Sequence, residues 1–198
     1  MIHAGTLADI VWSGGTWVFL DIGFSKKRKS CGLLVHDAAP AEFQFYRARG
    51  EIVDLVRKAT APANLTIEAP LSVAFDKSGN PNGRRIEKQG AKTRYWYNGL
   101  GCAVMVAAMY LVRAIHESCP THEVRLFEGF VSYKGPALES DHLRDVLLMR
   151  KVIKDPAGNA ASIIAPDSLK VAIDDRLVSA FCVAGFDCGV PPVIKCDG

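Results

Sequence analysis

The sequence has no Cys-x-x-Cys pair and no histidine pair at zinc-ligand spacing, although it holds six cysteines and five histidines. Common structural zinc modules are therefore not expected. The cysteines are Cys31, Cys102, Cys119, Cys182, Cys188 and Cys196. Most lie in apolar runs such as "SAFCVAGF", where a free thiol behaves as a small hydrophobe. That pattern predicts a reduced, cytoplasmic protein rather than a disulfide scaffold. No apolar run reaches the roughly 20 residues that cross a bilayer, so no membrane partner is expected. The longest, "GLGCAVMVAAMYLV", reads as a buried helix. The opening "MIHAGTLADIVW" lacks a basic segment followed by a long apolar one, so a secretory signal is not expected either. There is no repeat, low-complexity tract or obvious linker. Net charge is only +3, which permits a polyanionic partner without requiring one.

What is present suits one substantial domain over 1–198: apolar residues make up 49% and charged residues 23%. After an irregular extension over 1–16, Trp17–Phe24 reads as a strand. Cys31–Asp37 reads as a second strand and the alternating "AEFQFYR" as a third. "RGEIVDLVRKATA" places Ile52, Val53, Leu55 and Val56 at the spacing of a short amphipathic helix. "NLTIEAPLS" is a fourth strand. A long polar loop, basic and aromatic, follows over 73–98. Gly99–Glu117 reads as a helix and "HEVRLFEGF" as a fifth strand. "ESDHLRDVLLMRKVI" is an amphipathic helix with its N-cap near Ser140. "SLKVAIDDRLVSAFCVAGF" is expected to close the chain as a helix. A three-strand meander followed by alternating strands and helices predicts an α/β fold, a mixed five-stranded sheet with helices on both faces.

Several acids interrupt apolar elements: Asp21 in "VFLDIGF", Glu68 in "LTIEAPL", Glu128 after "VRLF", and Asp174–Asp175 before "RLVSAFCVAGF". Singly, each has a structural explanation. A strand-end acid accepts backbone N–H groups, Asp174 suits a helix N-cap, and Glu128 suits a solvated strand end. Together they suggest more. The first and fourth strands, adjacent and parallel at the sheet centre, would hold Asp21 and Glu68 side by side. Carboxylates that close repel unless a proton or cation is shared. Oxygen-rich clusters suit Mg²⁺ or Mn²⁺, and two such ions about 4 Å apart form a clamp for phosphodiester cleavage.

The order of elements and the motifs "DIGFS", "IEAPLS", "GRRIEKQG", "FEGFVSYK" and "DDRLVSAFCVA" resemble the RNase H-like nuclease superfamily. Within it, they are most similar to a widespread family of predicted RNase H-like nucleases. The resemblance spans roughly Trp17 to Phe186. It implies a Mg²⁺- or Mn²⁺-dependent nuclease, with Asp21 as the central metal ligand and Glu68 as the second. Asp175 would supply the ligand from the last helix, with Asp174 as its rival. Adjacent helix residues point about 100° apart, so only one of them can face the site. The resemblance further implies that Glu128 orients a ligand or water, and it matches Lys134, Arg84 and Arg85 to basic positions. Ser179 stands where related proteins often place a further acid.

Two basic clusters suit nucleic acid as the partner. One is Lys26, Lys27, Arg28 and Lys29, after Asp21. The other joins Arg84, Arg85, Lys88, Lys92 and Arg94 to Tyr95, Trp96 and Tyr97. Cations neutralise phosphates and aromatics stack on unpaired bases. Equally, the first cluster suits a solvated hairpin end and the aromatics suit a staple into the following helix. His3, His36, His116, His122 and His142 show no ligand spacing, and the sequence does not choose among them for proton transfer. A non-catalytic nucleic-acid-binding module on the same fold, and an actin-like phosphotransferase, are the competing expectations. The sequence leaves room for a homo-oligomer.

Overall fold

A computed structural model describes residues 1–23, 29–89, 92–93, 100–132 and 141–197. In chain order these form β1 (Ile2–Ala4), β2 (Thr16–Ile22), β3 (Cys31–Val35), β4 (Ala41–Phe43), α1 (Phe45–Lys58), β5 (Ala63–Glu68) and β6 (Ser72–Phe75). Then come β7 (Pro81–Asn82), β8 (Lys88–Gln89), β9 (Lys92–Thr93), α2 (Leu100–Ser118), β10 (Val124–Ser132) and α3 (His142–Lys154). The chain continues through β11 (Ile163–Ile164), β12 (Arg176–Ser179) and β13 (Val193–Asp197).

The protein is an α/β fold built on a mixed sheet in the order β11-β13-β10-β5-β2-β3-β4, with β1 added along β10. β2, β3 and β4 form an antiparallel meander, whereas β5 runs parallel to β2 and β10 parallel to β5. The sheet is wider than the five strands expected from sequence. β13 extends it parallel to β10, and β1 pairs with Val124–Leu126 of the same strand.

β2 sits in the middle and is buried on both faces, which is why "WVFLDI" reads as an unbroken apolar run rather than an alternating one. Successive residues still point to opposite faces. Val18, Leu20 and Ile22 join the core beneath α1 and α2, together with Leu65, Ile67, Val124 and Leu126. Trp17 and Phe19 join the core beneath α3, with Phe127, Val146, Met149, Val152 and Ile153. Asp21 therefore shares the α3 face with Trp17 and Phe19, and Glu68 shares it by the same alternation along β5.

Three sequence expectations give way. The "AEFQFYR" strand stops at Phe43 and α1 begins at Phe45, because Phe45, Ala48 and Ile52 form one helical stripe against the core. The loop over 73–98 contains β6, β7 and a short hairpin of β8 with β9. The closing helix over "DDRLVSAFCVAGF" is absent. Arg176–Ser179 is a strand paired antiparallel with β6, followed by a 3₁₀ turn over Ala180–Ala184 with Ser179 as its N-cap. Among the described residues no helix is long and apolar enough to cross a membrane.

Candidate metal centre

β2 and β5 pair in parallel with Asp21 opposite Glu68. Neighbouring strands lie about 4.8 Å apart, so the two acids are side by side on the α3 face, as the sequence led us to expect. What covers Asp21 is the first turn of α3. This helix starts where the Asp141 side chain accepts the Arg144 N–H at 3.0 Å, one residue beyond the cap expected at Ser140. Its core face carries His142, Asp145, Val146, Met149, Val152 and Ile153. Below the apolar part of that stripe lies the sheet. Its first turn instead sets His142 and Asp145 against Asp21.

Asp21, His142 and Asp145 each offer a donor atom, and these atoms lie within 4.8 Å of one another. Among the described residues this is the group of three or more His, Cys, Asp or Glu side chains able to meet one ion. His142 Nδ1 and Asp21 Oδ2 are 2.6 Å apart, a short contact that the carboxylate makes charge-assisted when Nδ1 carries the hydrogen. All three side chains are nearly buried, with Asp21 3% and Asp145 1% exposed. Two glycines make the close approach feasible. A Cβ on Gly32 of β3 would lie 2.2 Å from the His142 carbonyl oxygen, and one on Gly23 would lie 2.3 Å from His142 Nε2. Next to the centre, burial and the Asp21 charge push the Cys31 thiol up to about 11.

The other residues singled out in the sequence fall elsewhere. Asp175 is not on a helix beside Asp21. β12 runs along β6 with Ser179 opposite Ser72 and Arg176 opposite Phe75. Asp175 thus lies four residues, roughly 13 Å, beyond the end nearest β5. Its carboxylate accepts the N–H groups of Val171 at 3.0 Å and Ala172 at 2.9 Å. The Ala172 N–H above all, then Val171, the Asn82 side chain and the Lys88 charge, hold its pKa below the usual carboxylate range. It closes a turn. Asp174 is exposed and borders an open cavity of about 680 Å³ with Asp76, Lys77 and Arg176.

Glu128 alternates onto the α1–α2 face of β10, opposite to Asp21, where it is fully buried. Arg84, expected to meet phosphate, is buried as well and donates to Glu128 at 2.8 Å. It is an internal cation. Arg85 is exposed, with its Nε donating to the Lys170 carbonyl at 3.0 Å. Lys26, Lys27, Arg28, Lys134 and the Arg94–Tyr97 aromatic segment lie outside the described residues.

Of this group of three, sequence reasoning singled out Asp21, listed His142 only among five histidines, and passed over Asp145. A signal was present: an acid at position 145, inside the apolar stripe of an amphipathic helix, three residues from a histidine and thus on the same face.

No protein-family model, curated protein or solved structure matches the chain.

Proposed function

We propose that the chain is an RNase H-like, Mg²⁺- or Mn²⁺-dependent nuclease whose metal centre is Asp21, Glu68, His142 and Asp145. The carrying observation is the convergence of Asp21, His142 and Asp145 within 4.8 Å, with Glu68 in register beside Asp21. Strand order adds support. A meander of β2, β3 and β4, then β5 and β10 parallel to β2 with α1 and α2 intervening, is what the resemblance implies. In this arrangement α3, the helix after the fifth strand, takes the place expected of the segment holding Asp174 and Asp175.

The donor set fits a hard divalent cation: three carboxylates and one imidazole, with no thiol needed. Such an ion, when bound, lowers the pKa of a coordinated water and offsets charge on a phosphodiester. The chain's own residues do the rest. Asp21 is central, because α3 reaches it from one side and Glu68 flanks it on β5. His142 orients Asp21 through Nδ1. Asp145, one helical turn on, brings a second carboxylate from a rigid element. The burial of Asp21 and Asp145 excludes bulk water and strengthens each electrostatic contact.

The test is cleavage of end-labelled single-stranded and duplex DNA and RNA with Mn²⁺ or Mg²⁺. Cleavage should vanish with EDTA. It should fall more than about 100-fold in Asp21→Asn and Asp145→Asn, because even groups behind the ligands typically cost 10–100-fold. Undiminished cleavage by Asp21→Asn overturns the proposal. So does a wild-type protein that binds neither ion by calorimetry and cleaves none of the four substrates.

A further inference from the structure

Arg84 and Glu128 lie on the far side of the sheet from Asp21, and neither side chain has any exposure. Desolvating both charges is costly, and apolar residues of the same size would fill the space without that cost. Their value is in directional bonds, and these converge on one turn. β5 ends at Glu68. The Ala69 N–H folds back to the Ile67 carbonyl at 2.9 Å, and Pro70 has no N–H to give. The next donor is the Leu71 N–H, and Glu128 Oε2 accepts it at 2.8 Å. Arg84 Nη1 donates to that same oxygen at 2.8 Å and to Ser72 Oγ at 2.9 Å.

The guanidinium is itself held from behind. Its Nε and Nη2 donate to Glu87 Oε1 at 3.1 and 3.0 Å, while the Arg84 backbone N–H donates to Glu87 Oε2 at 2.9 Å. Burial pushes the Glu87 pKa up and the Arg84 charge opposes it. The anchor on β10 is equally fixed, since Glu128 stands opposite Ile67 and Gly129 opposite Glu68 in the parallel ladder. On its other side Leu71 accepts the Ala180 N–H at 2.9 Å.

We propose that Arg84 and Glu128 are a positioning pair that fixes the Glu68–Leu71 turn, and through it the placement of the Glu68 carboxylate beside Asp21. Its consequence for metal binding rests on the nuclease reading above, whereas its consequence for the turn does not. The variants are Glu128→Gln, which keeps the shape but not the charge, and Arg84→Met. Val56→Ala, in the core under α1, serves as a control for general destabilisation. Amide exchange at Leu71 is followed by NMR in EDTA, and Mn²⁺ affinity by calorimetry.

Both variants should speed Leu71 exchange at least about tenfold and weaken Mn²⁺ binding about tenfold, the lower end for groups behind metal ligands. Val56→Ala should lower Tm without either change. Should Arg84→Met not fold, Ser72→Ala removes one of its acceptors and is judged by the same two measurements. If the variants lower Tm as Val56→Ala does, with Leu71 exchange and Mn²⁺ affinity at wild-type values, the pair is structural only and the inference fails. If wild-type protein binds neither Mn²⁺ nor Mg²⁺ and cleaves none of the four substrates, the nuclease reading fails and Leu71 exchange alone decides this one.

Discussion

Replacing Gly32 with alanine puts a methyl group under the first turn of α3. The new Cβ would lie 2.2 Å from the His142 carbonyl oxygen, 2.7 Å from the carbonyl carbon and 3.1 Å from the His142 Cβ. These are mostly backbone atoms, so no side-chain rotation relieves the clash and the helix end has to move. Overpacking of this kind costs about 1–3 kcal/mol. For a chain of this size each kcal/mol lowers Tm by about 2–4 °C, giving a fall of roughly 2–12 °C in EDTA.

The movement also opens the centre. Asp21 and His142 are 2.6 Å apart, and a contact lengthened by about 1 Å is no longer a hydrogen bond. The rise in Tm on adding Mn²⁺ should therefore shrink in Gly32→Ala, because the variant binds the ion less tightly. Differential scanning fluorimetry in EDTA and in Mn²⁺ reads both effects. Gly50, exposed in α1 with nothing within 4 Å of an added Cβ, is the matched control. There alanine should stabilise by about 0.5–1 kcal/mol. A Gly32→Ala protein with wild-type Tm and a wild-type Mn²⁺ response would mean that α3 does not rest on β3 at His142.

Two further predictions concern groups outside the proposed ligand set. The folded pKa of Asp175 is depressed below its ordinary value of 3.8, so its stabilisation is complete above that value and lost as pH falls through the lower folded pKa. Asp175→Asn should lower the urea midpoint at pH 7, with the gap to wild type narrowing as the pH is taken progressively below 3.8; a gap that stays the same size as the pH falls contradicts this. Burial pushes the thiols of Cys31 and Cys188 up to about 11 and about 12, whereas Cys102 is exposed. In native protein iodoacetamide at pH 8 should label Cys102 first and leave Cys31 and Cys188 untouched until unfolding, as judged by peptide mass spectrometry; labelling of Cys31 at the rate of Cys102 contradicts it.

The central part of the fold was legible because its signals are local. "WVFLDI" and "NLTIE" are apolar runs of strand length, and burying such runs on both faces requires helices above and below. Asp21 and Glu68 stood out because a charge in such a run is conspicuous. Asp145 was harder to see. α3 alternates charged and apolar residues at helical spacing, so one more acid blends into the pattern unless its angular position is tracked. The pair Asp174–Asp175 misled for the opposite reason. It precedes an apolar run and so looks like a helix start, yet the Asp175 carboxylate bonds backward to Val171 and Ala172 rather than forward. The run after it then pairs with β6 as a strand. That choice depends on a partner about 100 residues away, which local propensity does not register. The burial of Arg84 was hidden likewise, since its partner Glu128 is 44 positions along the chain.

The most direct test of the metal centre is a crystal soaked in Mn²⁺ and measured for anomalous scattering. The expected result is a peak bounded by Asp21, Glu68, His142 and Asp145, lost in Asp21→Asn, with none at Asp175. A soaked crystal with no peak between β2 and the first turn of α3, or with its peak at Asp175, would contradict the assignment.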